Sequence, residues 1–266
     1  MVTDAEVATF ECDGVVCLRG LVEPEWIERL RDAVEQVMAS PGSEARDITE
    51  DGGRFFTDIY MHRTNPTIRA FLTQSGIGAA AGRLLSSHRA RLYNDHLLVK
   101  EPGTDAPTPW HQDLPYFRCD GRQLASFWIG LDPVTRDSGA MSFVRGSHRW
   151  GKMFQPVSFA SGDALDADEF DGPLPQIEGR EDLDFVCYEM EPGDATFHHV
   201  LTLHGAQGNA TLDRRRRGLS VRLAGDDAVW LRRRFSPSGI EAGLPDGAPL
   251  TGDLFPLLWS DAAATA

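Results

Sequence analysis

In the run Pro109-Trp110-His111-Gln112-Asp113 an imidazole and a carboxylate stand two residues apart. On an extended strand that spacing sends both side chains off one face. Leu203-His204-Gly205, far along the chain, offers a second imidazole. Two nitrogens and one carboxylate on one side of a metal leave the opposite coordination positions open, which is what a non-haem Fe(II) oxygenase needs for cosubstrate and O₂. A His-x-Asp tripeptide alone is weak evidence in a chain with 8 His and many Asp, and most single His are ordinary polar side chains. The surroundings add weight. Trp110 to Asp113 follow a Pro-rich loop, Pro102 to Pro109, that can deliver the chain onto a strand, and His204 follows the turn Glu191-Pro192-Gly193-Asp194 and the apolar-rich stretch Ala195 to Leu203. His198 and His199 are rivals for the third ligand position, although His199 faces away from the site on a regular strand.

Such ligands need a rigid frame, and the pattern of the chain predicts one. Pro24 to Ala39 places Trp26, Ile27, Leu30, Ala33, Val34 and Val37 at helical spacing, with Pro24 near the start and Pro41-Gly42 beyond the end. Thr67 to Leu72 and Ser75 to Leu85 read as further helices. From Arg89 onward short apolar strands alternate with Gly, Pro and Asp turns. The expected fold is mainly β with peripheral helices: a double-stranded β-helix core (jelly-roll, cupin-like), with a helical N-terminal region, residues 1–88, packed on it. At 266 residues the chain reads as a single domain, 1–266, with the polar stretch Ser161 to Asp184 as an insertion. The Gly- and Pro-rich stretch Pro237 to Trp259 carries no clear signal.

Composition narrows the function. The net charge of -14 argues against nucleic acid and weakly disfavours a polyanionic carrier such as a CoA thioester. There is no run of eighteen apolar residues, so no membrane span is expected, and the acidic start Met1-Val2-Thr3-Asp4-Ala5-Glu6 lacks the basic and apolar regions of a signal peptide. Cys12, Cys17, Cys119 and Cys187 form no CxxC pattern and read as reduced thiols, which favours the cytoplasm. The runs Arg214 to Arg217 and Arg232 to Arg234 read chiefly as solvated charge paired with carboxylates. Within the first, Arg216-Arg217-Gly218-Leu219-Ser220-Val221-Arg222-Leu223 looks like a strand with alternating faces. An inward guanidinium there could grip a carboxylate with two parallel hydrogen bonds. Gly76 to Gly82 has a loose likeness to a dinucleotide loop but reads better as a small-residue helix face. Ser147-His148 lacks the Gly-x-Ser-x-Gly elbow of a nucleophilic serine.

Taken in order, a set of short motifs resembles the phytanoyl-CoA dioxygenase family of Fe(II)/2-oxoglutarate oxygenases. They run from about Leu92 to Arg222: Leu98-Val99-Lys100-Glu101-Pro102-Gly103, Trp110-His111-Gln112-Asp113, Phe127-Trp128-Ile129-Gly130-Leu131-Asp132, Gly139 through Gly146-Ser147-His148, Gly193-Asp194-Ala195-Thr196-Phe197-His198, Leu203-His204-Gly205-Ala206 and Arg216-Arg217-Gly218-Leu219-Ser220. Each is loose alone; the order and spacing make the signal.

The resemblance implies roles. His111, Asp113 and His204 hold Fe(II), with His204 preferred because it stands in the family's Leu-His-Gly context. Arg216 fits best as the residue that meets the far carboxylate of 2-oxoglutarate; Arg215 and Arg217 stay open, because strand register is not set by sequence. Gln112, Trp128 and Leu98 match positions around the cosubstrate, although Gln112 on an ideal strand faces away from the ligands and is equally a structural amide. His96, Tyr116 and Phe117 are candidate substrate contacts or else core, and Phe117, Phe127 and Trp150 would suit a hydrophobic metabolite. Ser147-His148 becomes a piece of the family's Gly-Ser-His turn. Two positions depart from the family pattern: Ala206 stands where many relatives have Ser, and Arg145 where Pro is common. The expected reaction consumes 2-oxoglutarate and O₂, releases succinate and CO₂ and oxidises a C–H bond of a small molecule. Halogenases on this scaffold have Gly or Ala at the carboxylate position, so Asp113 favours hydroxylation. A cupin-type enzyme that does not use 2-oxoglutarate and a non-catalytic binding protein are the rival readings. Oligomeric state is left open.

Overall fold

The computed structural model describes residues 1–48, 53–159, 163, 169–233 and 241–261. Among the described residues four α-helices, α1 (Asp4–Asp13), α2 (Pro24–Ala39), α3 (Pro66–Gln74) and α4 (Ile77–Leu84), accompany fourteen strands. The strands are β1 (Val15–Leu18), β2 (Arg46–Asp47), β3 (Phe55–Ile59), β4 (Arg89–Lys100), β5 (Thr108–His111), β6 (Cys119–Asp120), β7 (Leu124–Gly130), β8 (Met141–Val144), β9 (Phe185–Cys187), β10 (Ala195–His199), β11 (His204–Ala206), β12 (Arg216–Ala224), β13 (Val229–Trp230) and β14 (Leu257–Ser260).

The helices form where the residues predict them. In α2 the stripe Ile27, Leu30, Ala33, Val34 and Val37 is buried and Pro24 occupies the first turn, where its missing N–H costs nothing. The Asn65 side chain caps α3 by accepting from the amides of Thr67 and Ile68. Helix α1 was not expected: it buries only Phe10, so it has no apolar stripe to read. A capping box between Thr3 and Glu6 starts it, and Gly14, at φ 74°, ends it. The small-residue stretch Gly76 to Gly82 is indeed a helix face. Gly78 and Gly82 of α4 lie against Trp259 of β14, close enough that any Cβ there would collide with it.

An eight-stranded antiparallel sheet runs β1-β10-β7-β12-β4-β3-β2, with β14 also on β4. A four-stranded sheet runs β5-β11-β8-β9. This is a mostly β jelly-roll, as the strand pattern implied. Period-2 alternation splits the large sheet into two chemistries. Leu97, Val99, Ala125, Phe127, Ile129, Ala195, Phe197, Leu219, Val221 and Leu223 join the core shared with the helices. Their neighbours His96, Leu98, Trp128, His198, Arg216, Ser220 and Arg222 line a cavity that the small sheet closes with Thr108, His111, Met141, His204 and Ala206. The cavity therefore lies between the sheets.

Two expectations need correcting. The N-terminal region, residues 1–88, is not simply helical, since β1 pairs with β10 and β3 with β4 inside the large sheet. Apolar runs of four or five residues are too short for a period to separate strand from helix. The C-terminal stretch also has a structural role: β14 pairs with β4, while Leu250 and Phe255 are buried. Residues 161–162 and 164–168 of the expected insertion, and Arg234 of the second Arg run, lie outside the described residues.

A Cβ at Gly82 would sit 2.2 Å from the Trp259 ring. Gly82→Ala is expected to destabilise the protein by roughly 1–3 kcal/mol through overpacking, read as a lower urea midpoint at unchanged slope.

Candidate metal centre

His111 is the last residue of β5 and His204 the first of β11, and the two are paired directly across the antiparallel ladder. Their ring centroids are 4.2 Å apart. Asp113 arrives differently from the expectation. The strand has ended, and Asp113 adopts φ -73°, ψ -40° at the mouth of a 3₁₀ turn, Leu114–Tyr116, in which Pro115 presets the backbone. A turn, not strand parity, brings the carboxylate to the imidazoles. One ligand atom from each of His111, Asp113 and His204 lies within 4.8 Å of the others, and all three residues are buried.

Hydrogen bonds aim the rings. His111 Nδ1 is 2.8 Å from the Pro109 carbonyl and His204 Nδ1 2.9 Å from the Thr202 carbonyl. A carbonyl only accepts, so each Nδ1 donates and each Nε2 presents a lone pair to the centre. Burial keeps both imidazoles neutral: the His111 pKa is pushed down to about 4, and His204 is held well below its ordinary value by burial and the neighbouring rings. For Asp113 burial works against ionisation, but Arg222 and the adjacent imidazoles outweigh it and hold the carboxyl well below its usual range. Its Oδ2 accepts from Ser126 Oγ at 2.6 Å and lies 3.4 Å from His198 Nε2. Two neutral imidazoles and one carboxylate, dry and converging, are a donor set that fits Fe(II).

Arg216 lines the same cavity. It is 1% exposed, with its guanidinium 5.2 Å above the Trp128 ring and Nε bonded to the Ser138 carbonyl. Burial lowers its pKa to about 10. Gly218 makes this stacking possible, because a Cβ there would lie 2.1 Å from the Trp128 ring. Lys100, opposite Arg216 on β4, donates to the Gln207 carbonyl at 2.6 Å and is pushed far down by burial. The flanking arginines point out: Arg215 pairs with Glu35 and Glu101, and Arg217 with Asp132 and Glu35. This settles the register that the sequence left open.

The remaining sequence candidates divide. His96, Leu98 and Trp128 line the cavity. Tyr116 packs edge-on against His111, at 5.8 Å between ring centroids, and its hydroxyl donates to the Val157 carbonyl. Gln112 does not line the cavity. Its amide donates to the carbonyls of Lys152 and Leu201 and accepts from the Phe154 amide, so it is a structural strut. Phe117 and Phe127 belong to the core, and Trp150 is 38% exposed; none of them walls the cavity. Phe159 does, 4.8 Å from the His111 ring. His198 faces the cavity and His199 the other way, with its ring on the Arg122 carbonyl and the Leu201 amide. Of the two departures from the family pattern, Ala206 lines the cavity, and Arg145 forms ion pairs with Asp13 and Asp184. Sequence reading missed Ser126, Ser220 and Arg222. Counting by twos from Arg216 along β12 would have found the last two.

A buried two-imidazole, one-carboxylate centre inside a jelly-roll, with the buried Arg216 on the same cavity, is the arrangement of the Fe(II)/2-oxoglutarate oxygenase class. The chain matches the phytanoyl-CoA dioxygenase (PhyH) model over residues 10–218 and belongs to that family. It is 25% identical over 240 residues to a "probable phytanoyl-CoA dioxygenase" of Caenorhabditis elegans, covering 82% of this chain and 74% of that one. Among solved structures it is similar to the epimerase SnoN of nogalamycin biosynthesis, in complex with Fe3+, α-ketoglutarate and nogalamycin RO, at TM-score 0.75 and 27% identity over 96% of this chain and 98% of that one. The α-ketoglutarate-dependent carbocyclase SnoK of the same biosynthesis superimposes at TM-score 0.79 and 25% identity, covering 96% of each chain. The protein is an Fe(II)- and 2-oxoglutarate-dependent dioxygenase.

Two outcomes are expected. Ser126→Ala frees one oxygen of Asp113 and is expected to weaken Fe(II) binding about 10- to 100-fold, measured by competition with a chromogenic chelator. His96 and His199 are half-buried and neutral, each with a pKa lowered first by desolvation, that of His199 to about 4. Unfolded, they take protons near the ordinary histidine value of about 6.5. Their contribution is therefore complete above that pH and is lost as pH falls toward the folded value. The Tm of metal-free protein is expected to drop steadily between pH 7 and pH 5, and His199→Gln to flatten that slope in calorimetry.

Proposed function

We propose that His111, Asp113 and His204 are the Fe(II) ligands, that Arg216 receives the far carboxylate of 2-oxoglutarate, and that the enzyme hydroxylates a C–H bond of a small organic metabolite. The observation that carries this reading is one cavity lined by both the neutral, buried donor triad and the buried Arg216 cation. Bound iron and 2-oxoglutarate supply the redox chemistry, with O₂ as the second cosubstrate and succinate and CO₂ as products.

The chain's own contribution is placement and dryness. Carbonyl acceptors at Pro109 and Thr202 lock both imidazoles before any ligand arrives. Ser126 holds one Asp113 oxygen, leaving the other free to coordinate. Trp128 and Ser138 hold the Arg216 guanidinium so that a carboxylate meets a pre-aimed fork. Leu98, Met141 and Phe159 exclude water around the centre. Asp113 fills the coordination position that a halide would need, which supports hydroxylation.

For the remaining attributes the same reading favours a single domain, residues 1–266, a free small-molecule substrate, no nucleic-acid partner given the net charge of -14, and the cytoplasm, where the four unpaired cysteines would stay reduced. Among the described residues no helix is long and apolar enough to cross a membrane.

Anaerobic titration of metal-free protein with Fe(II) and then 2-oxoglutarate tests the centre. A metal-to-ligand charge-transfer band is expected in the wild type and not in His111→Ala. Arg216→Gln is expected to retain iron but to need about 10- to 100-fold more 2-oxoglutarate for the same band. A folded, iron-loaded wild type that gives no band would instead favour a cupin-type metal enzyme that does not use 2-oxoglutarate.

A further inference from the structure

Arg222 shares the cavity face of β12 with Arg216 but sits six residues on, about 20 Å along an ideal strand. The two guanidinium groups therefore serve opposite ends of the cavity. Arg222 is well supported yet poorly neutralised. Nη1 donates to the Asn94 side-chain oxygen at 3.2 Å and Nη2 to His96 Nδ1 at 3.1 Å. Both acceptors are uncharged, since burial and Arg222 itself keep His96 neutral. The guanidinium lies 5.1 Å over the Phe117 ring, and its buried Nε has no hydrogen-bond partner. Among the described residues the one carboxylate in range is Asp113, whose Oδ1 is 3.6 Å from Nη2, too far for a hydrogen bond.

On the reading proposed above, the Asp113 carboxylate is committed to the metal. The charges then balance except at one place. Asp113 and the near carboxylate of 2-oxoglutarate offset the two charges of Fe(II), and the far carboxylate offsets Arg216. Lys100, at the Arg216 end, is held toward its neutral form by burial. The Arg222 charge is left over in a dry site, where an uncompensated cation is costly. The Phe117 ring of the core lies beneath the guanidinium, and Phe159, which lines the cavity, packs 4.8 Å from the His111 ring.

We propose that Arg222 is a substrate-recognition residue and that the substrate presents a carboxylate to it, attached to an apolar body that Phe159 covers. The carboxylate docks beside the metal centre, at the end of the cavity away from the cosubstrate, and so fixes which C–H bond faces the iron. A buried Nε–H that no protein group satisfies keeps a hydrogen bond in reserve for that anion.

The inference rests on the Fe(II)/2-oxoglutarate reading, so the test separates the two. Protein loaded with Mn(II) and saturating 2-oxoglutarate is titrated calorimetrically with acetate, phenylacetate and 3-phenylpropionate, each against its neutral amide. At least one acid is expected to bind the wild type about tenfold or more tightly than its amide. That preference is expected to disappear in Arg222→Gln and to survive partially in Arg222→Lys, with the affinity for 2-oxoglutarate nearly unchanged in both. Equal binding of every acid and amide by the wild type overturns the proposal, as does a preference that persists in Arg222→Gln. Loss of Mn(II) or 2-oxoglutarate binding in both variants also overturns it, and makes Arg222 a support for Asp113. A wild type that takes Mn(II) but not 2-oxoglutarate removes the underlying reading instead.

Discussion

Strand β12 faces two solvents. Leu219, Val221 and Leu223 face the helix-covered core, and Arg216, Ser220 and Arg222 face the space between the sheets. Burying two guanidinium groups on one strand is tolerable only if anions meet them, because an unpaired buried charge costs more than packing around it returns. That constraint organises the rest. The helices α2, α3 and α4 cover the apolar face, the small sheet covers the charged one, and the enclosed charges call for a metal-bound carboxylate and for anionic ligands. The chain is acidic overall, with a net charge of -14, but its inner cavity carries cations. Surface charge and site charge answer different selections here: solubility outside, ligand recognition inside.

The metal centre shows how little side-chain freedom the chain leaves. His111 and His204 are cross-strand partners, so the ladder itself fixes the separation of their backbones. Each ring is then oriented by a carbonyl two residues before it in the chain, Pro109 or Thr202. The same local device appears on both strands, and it costs no extra residue. Asp113 is held from another strand by Ser126 of β7, which donates to one of its oxygens. The imidazoles are placed by local geometry and the carboxylate by tertiary geometry, so substitutions in the large sheet should act on the metal through Asp113.

Gly218 and Gly205 mark where backbone must approach closely. Trp128 lies flat over Gly218, which lets Arg216 stack on the indole. Any side chain at Gly205 would crowd Trp110 and the Thr108 carbonyl, so this residue lets β11 lie tight against β5. Neither glycine needs a left-handed backbone. Both are small because a ring or a neighbouring strand occupies the space, which is a packing demand and not a conformational one.

The sequence by itself determined the elements with long or strict periods and the chemistry written in short motifs. The stripe of α2 and the small face of α4 followed from spacing, the triad His111, Asp113 and His204 from motif order, and the jelly-roll from strands punctuated by Gly, Pro and Asp. Tertiary structure decided what depends on a partner. The register of β12, and so the inward turn of Arg216 and the outward turn of Arg215 and Arg217, was set by pairing with β4 and β7, because a one-residue slip inverts every side chain and leaves composition unchanged. Asp113 left the strand for a turn, and Gln112 became a strut to Lys152, Leu201 and Phe154 across about forty to ninety residues of chain that no local pattern foretells. Helix α1 and strands β1 and β3 were illegible because their apolar runs are too brief to show a period. The sequence assigns Arg222 no role; the fold places it on the cavity. Burial is a property of the assembled sheets, and only burial turns a common arginine into a recognition site.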